Sequence, residues 1–191
     1  MCWNEKVSLL TFILGTIFCI IGYRKTKNIF YLFFQCIIFV QLGEAFIWYD
    51  INCGNLARLG TIIAFFAVWL QPIFGLYMVD SKLYTVLIIF YIFSSLKIVY
   101  KLFTTTTCYK PICDTNSLHL SFTEWNHFHP MGILYGICIL YLLFILYKKS
   151  PVISIYLFIT MILSSIFYKN TFGSMWCWFA AFTPILAMFY L

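Results

Sequence analysis

Val86-Leu87-Ile88-Ile89-Phe90-Tyr91-Ile92-Phe93 decides the fold class. Apolar residues follow one another there without a polar break, and the run extends over roughly 83–103. A strand of a membrane barrel would be about 10 residues long and would alternate in polarity. This run does not alternate, and about 20 apolar residues is the length at which a helix spans hydrocarbon. Six other stretches share its character, at roughly 7–23, 29–49, 56–79, 131–147, 151–168 and 172–191.

Composition agrees. Of 191 residues, 63% are hydrophobic, 22% aromatic and 9% charged, and the mean hydropathy is +0.94. A soluble domain carries about 25% charged residues, so this chain lacks the polar groups to cover itself in water. Seven spans would use roughly 140 positions and leave no room for a soluble domain. The expected fold is all-α, a polytopic membrane protein of about seven transmembrane helices in one bundle, with residues 1–191 as a single transmembrane domain. The lipid bilayer is therefore the first partner. The net charge of +6 lies in short loops, where it bears on orientation, and no basic block suggests nucleic acid as a partner.

Local signals mark the breaks. Asp80-Ser81 is read as a cap for the fourth helix, Ser150-Pro151 as a cap followed by a first-turn proline, and Asn170-Thr171 as a cap for the seventh. Arg24, Lys25 and Lys27 follow the first apolar run, which suits a retained helix rather than a cleaved signal. With the N-terminus outside, Arg24, Lys25, Lys27, Lys82, Lys148 and Lys149 fall inside, against Lys6, Arg58, Lys101, Lys110 and Lys169 outside. The densest basic clusters then face the cytoplasm, so the expected orientation is N-terminus outside and C-terminus cytoplasmic. The long loop at about 104–130 is then extracytoplasmic.

Glu44 is the most informative residue, late in the second helix within Gln41-Leu42-Gly43-Glu44-Ala45-Phe46-Ile47-Trp48. An ionisable side chain inside a span costs about 2.5–3.5 kcal/mol or more unless paired or solvated, and it marks function by default. The competing reading is a carboxyl that ties helices together. Alternating helix directions bring Glu44, Asp50, Asn55, His119 and Trp176-Cys177 to one side of the membrane, as candidates for one outer-facing pocket. Gln71, before Pro72 in the third helix, either supports a proline kink or faces a ligand. Gly173-Ser174 and the tryptophans after them read as packing and interface residues.

The long loop holds His119, Glu124 and His127, and His129 closes it. These four are possible zinc ligands, although their spacing matches no zinc motif and interface anchoring is the favoured reading. Cys19, Cys36 and Cys138 read as apolar packing residues inside helices. On an oxidising outer side, Cys108 with Cys113 is the expected disulfide and Cys2 with Cys53 the second choice. No Cys-x-x-Cys stands in the chain, which disfavours a thiol oxidoreductase.

Met1-Cys2-Trp3, Glu44-Ala45, Cys53 with Asn55, Gln71-Pro72, His119 and Trp176-Cys177 together resemble an uncharacterised family of small multi-pass membrane proteins from bacteria and large DNA viruses. Asn4 stands where members of that family often carry serine, and His127-Phe128-His129 departs from the pattern. The resemblance implies a membrane protein, in a host or virion membrane, and supplies no activity. A retinal cofactor is not expected, because the last helix contains no lysine, and ceramidase-like hydrolysis is disfavoured because it contains no histidine. The function expected is binding or interaction rather than catalysis, with Glu44 taking a small polar ligand or lipid head group, or relaying a proton. A membrane-embedded metal-dependent hydrolase and a structural membrane component are the alternatives.

Overall fold

The computed structural model describes residues 4–79, 81–104, 108, 129–167 and 172–191. All regular structure among them is helical: α1 (Glu5–Thr26), α2 (Phe30–Tyr49), α3 (Asn55–Phe74), α4 (Lys82–Thr104), α5 (His129–Lys149), α6 (Pro151–Phe167), α7 (Phe172–Ala180) and α8 (Thr183–Tyr190). A 3-10 turn, Gly75–Tyr77, extends α3. Six stretches are long and apolar enough to cross a membrane, the last of them Phe172–Tyr190, which joins α7 and α8. Helix α6, with 17 residues, covers about 25 Å at 1.5 Å per residue and is the shortest of the seven apolar segments.

The bundle turns large apolar side chains outward as well as inward. Helix α1 buries Ser8, Thr11, Gly15, Cys19 and Gly22, at spacings of three and four, and exposes Leu10, Ile13, Ile17 and Ile20. Helix α4 buries Tyr84, Ile88, Tyr91 and Ser95 and exposes Val86, Ile89, Phe90 and Phe93. Small and hydroxylated residues on the inner face with large aliphatics outside is the arrangement expected where the solvent is lipid. Several buried hydroxyls are satisfied within their own helices: Thr11 Oγ1 donates to the Val7 carbonyl (2.9 Å) and Thr61 Oγ1 to that of Ala57 (2.8 Å).

Helix α2 lies at the centre, packed on α1, α3, α7 and α8. Helix α3 also meets α5, α6 bridges α5 to α7 and α8, and α8 returns to α1, while α4 flanks α3 and α5. The tightest contact is between α2 and α3. A Cβ on Gly43 would stand 2.6 Å from the Gly60 carbonyl oxygen and 2.8 Å from the Ala64 backbone nitrogen, so the absence of side chains at Gly43 and Gly60 sets the approach.

Three sequence expectations need correction. The segment 172–191 is not one helix: it breaks at Ala181-Phe182, because Pro184 has no N–H to donate and its ring would meet the Ala180 carbonyl. Ser150 makes no side-chain cap, since its hydroxyl has no partner, whereas Pro151 does open α6. Ser81 performs the expected capping of α4, its hydroxyl accepting from Tyr84 N at 3.4 Å, and Asp80, Asn170 and Thr171 lie outside the described residues.

The third correction concerns the disulfide. Cys53 is bonded to Cys108, with Cα atoms 5.9 Å apart and a sequence separation of 55. A sulfur enters one disulfide only, so neither Cys108–Cys113 nor Cys2–Cys53 forms. The bond joins the α2–α3 turn to the chain just beyond α4, as two helix ends on the same side of a bundle allow. Cys19, Cys36, Cys138 and Cys177 are free and buried. We expect peptide mapping under non-reducing conditions to recover a Cys53–Cys108 cross-linked pair. Chain entropy for a loop of this length sets the loss on Cys53→Ser at up to about 4 kcal/mol; recovery of Cys108 linked to Cys113 instead would overturn the pairing.

Candidate functional site

Gln41, Glu44 and Trp48 are spaced three and four apart and therefore share one face of α2. That face is turned inward, and the three side chains are 1%, 3% and 8% exposed. Gly43 draws α3 against the adjacent face, which leaves the Glu44 carboxyl facing α7, where Ser174 lies within its reach. Gln41 also stands near enough to act on the carboxyl, yet its amide lies outside hydrogen-bond geometry. Glu44 Oε1, Gln41 Oε1 and Nε2, and Trp48 Nε1 are all buried without a hydrogen-bond partner. Among the described residues no lysine, arginine or histidine supplies the carboxyl with a counter-charge.

Deeper in the bundle the cluster continues through Cys177, one turn after Ser174. Cys177 lies near Glu44 on one side and comes within hydrogen-bonding reach of Gln71 on the other. Gln71 is fully buried. Its Oε1 accepts from Tyr135 Oη of α5 at 2.5 Å, and its Nε2 has no partner. The site thus draws on four helices, α2, α3, α5 and α7.

The carbonyls around Pro72 are answered from α4: Tyr84 Oη donates to the Pro72 carbonyl at 2.6 Å and Tyr91 Oη to that of Trp69 at 3.2 Å. Trp69 Nε1 in turn donates to Ser95 Oγ at 2.8 Å. The Gln71 amide nitrogen has no partner, and the side chain comes within reach of Cys177.

Glu44, Gln71 and Cys177 are therefore brought together, and other expected pocket residues are not. Asp50 is committed elsewhere. Its carboxylate accepts from Gly54 N at 3.1 Å, Leu56 N at 3.1 Å and Ala57 N at 3.3 Å, which caps the start of α3. Asn55 is exposed at the first position of α3. Trp176 is buried, but its indole N–H turns to α6 and donates to the Leu157 carbonyl at 3.2 Å. His119, Glu124 and His127 lie outside the described residues, and His129 opens α5. Among the described residues no group of three His, Cys, Asp or Glu side chains is placed to hold a metal ion.

Sequence reasoning missed four contributors. Gln41 and Trp48 were legible from their spacing to Glu44, because residues three and four apart share a helix face. Ser174 was read as packing, and nothing local in the sequence marks Tyr135 as the partner of Gln71. Comparison of the chain with protein-family models, with curated proteins and with solved structures finds no match.

The assignment of Asp50 as a cap is testable. Asp50→Ala removes the side-chain acceptor for the first turn of α3, and a loss of about 0.5–2 kcal/mol is expected. Asp50→Asn, which keeps an acceptor oxygen, should recover most of it in thermal unfolding of detergent-solubilised protein. Equal losses for both would show that the carboxylate charge, not the cap, matters.

Proposed function

We propose that this chain is a multi-pass membrane binding protein, whose polar pocket around Glu44 takes a small polar ligand or a lipid head group. The observation that carries the reading is the group of unpaired buried polar atoms on Gln41, Glu44, Trp48 and Gln71. A buried donor or acceptor without a partner costs about 1–3 kcal/mol, and more where lipid surrounds the bundle. A bundle held together by these groups would pair them with one another. Here they converge without pairing, as groups that await something to bind. Three of the short matches to the uncharacterised family, Glu44-Ala45, Gln71-Pro72 and Trp176-Cys177, fall on or beside the same cluster, which supports the same residues.

Glu44 lies five residues from the end of α2 at Tyr49, so the polar cluster is nearest the side of the membrane that holds Cys53 and Cys108. We read that side as extracytoplasmic, because a disulfide linking distant segments belongs to an oxidising compartment. The N-terminus is then outside and the C-terminus cytoplasmic, as the basic clusters of the opposite loops also favour. A host or virion membrane follows from the family resemblance alone.

Stability separates this reading from structural glue. Met is close in volume to Glu and Gln and leaves no unpaired polar atom. Glu44→Met and Gln41→Met should therefore leave the unfolding midpoint in detergent unchanged or raise it, by up to about 1–3 kcal/mol for each relieved group. A binding site carries such a stability cost for its function. A loss of several kcal/mol in either variant would identify a helix tie and overturn the proposal.

A further inference from the structure

We propose that the occupant of the Glu44 pocket is a small monovalent cation, held by the carboxylate together with the side-chain oxygens of Gln41 and Ser174. The inference rests on the pocket being a binding site and goes on to name its ligand.

Charge is the first argument. A carboxyl inside a bundle takes a positive partner or a proton; no basic side chain among the described residues provides the first, so the cation is the partner that would displace the proton. The second is the donor set. Glu44 Oε1 and Gln41 Oε1 are unpaired acceptors on one face of α2, and Ser174 presents a hydroxyl from α7. These are hard oxygen ligands, the kind that alkali ions and N–H-bearing ammonium groups take. Valence is the third. A single carboxyl with neutral oxygens balances one positive charge, whereas calcium and magnesium sites gather more carboxylates or phosphates. The described residues also lack the His, Cys, Asp and Glu group that a transition metal needs. An ionised Glu44 would repel an anion.

Position is the fourth. Glu44 is five residues from the end of α2 at Tyr49, or about 8 Å along the axis, so an ion needs to enter only the first turns of the bundle from that side. The unpaired N–H groups of Trp48 and Gln41 suit water that accompanies the ion.

The cation has two sources, a free inorganic ion or the primary ammonium of a lipid head group, and one experiment separates them. The full chain in detergent is unfolded thermally in NaCl, KCl, ethanolamine hydrochloride or choline chloride at one ionic strength. Choline is the control, being bulky and without an N–H. The expected result is a saturable rise of roughly 5 °C over choline in at least one of the first three, absent from Glu44→Gln. A response to Na+ or K+ identifies a free ion, and a response confined to ethanolammonium identifies a head group. Equal midpoints in all four salts, or an undiminished response in Glu44→Gln, would overturn the cation. Should Glu44→Gln not fold, Ser174→Ala replaces it: a roughly tenfold higher half-saturating concentration supports the site, and an unchanged one overturns it. Failure here together with undiminished stability of Glu44→Met removes the cation and leaves the pocket standing, whereas loss of stability in Glu44→Met removes the pocket itself.

Discussion

The backbone contact between Gly43 and Gly60 is the constraint on which the arrangement depends. Neither residue has a Cβ, and each would drive one into the other helix's carbonyl oxygen, at 2.6 Å and 2.5 Å respectively. Their closeness lets α3 press on α2 along one face, so the neighbouring residue, Glu44, must turn to another. That other face belongs to α7 and carries Gln41 and Trp48 with it. The polar cluster is thus a consequence of helix packing as much as of the polar residues themselves. Helix α2 pairs a small-residue face that fixes its place with a polar face that the place then exposes to three other helices.

Two populations of buried polar groups coexist in the bundle, and the difference between them isolates the site. Hydroxyls such as Thr11, Thr26, Thr61 and Thr160 donate to carbonyls three or four residues earlier in their own helices. Tyr84, Tyr91 and Tyr156 donate to backbone carbonyls of neighbouring helices. Such bonds cost nothing in specificity and satisfy groups that lipid cannot. Tyr31, Ser150, Ser164 and Thr183 each leave an unpaired hydroxyl, but singly and in different parts of the chain. Only in the Glu44 region, among the described residues, do several unpaired side chains gather around a carboxyl.

How much of this the sequence carried follows from what helical periodicity encodes. Apolar runs gave the segments and the all-α class, because lipid demands length and hydrophobicity of each span separately. Glu44 stood out for the same reason, as the acid within a run. Depth was legible too: Ser174 and Cys177, at the start of the last segment, are on the same side as the end of α2. Neighbourhood was not. Which helix lies beside α2 is a property of the packed bundle, so Asp50 and Asn55, at the right depth, entered the expected pocket while Tyr135 did not. The disulfide failed in the same way. Cys108 and Cys113 are close in sequence, but the proximity of Cys53 to Cys108 is created by two helix ends meeting 55 residues apart. The break before Pro184 was readable, since the proline was visible and its effect on the preceding turn is local.

On the proposed reading of the Glu44 cluster as a binding site, its deeper side offers a cation no onward path. Below Glu44 the next groups are Cys177 and Gln71, both neutral, and beyond them Tyr135, whose hydroxyl is bound to the Gln71 carbonyl oxygen. The tyrosines that continue toward the opposite end, Tyr91 and Tyr84, donate to the backbone carbonyls of Trp69 and Pro72. A peptide carbonyl accepts a hydrogen bond but has no proton of its own to pass on. Among the described residues no second carboxyl follows to stabilise a cation further in, and an ion leaving Glu44 in that direction would give up its only full negative charge for amide and phenol groups. For a cation the energetic slope therefore points back to the side from which it came.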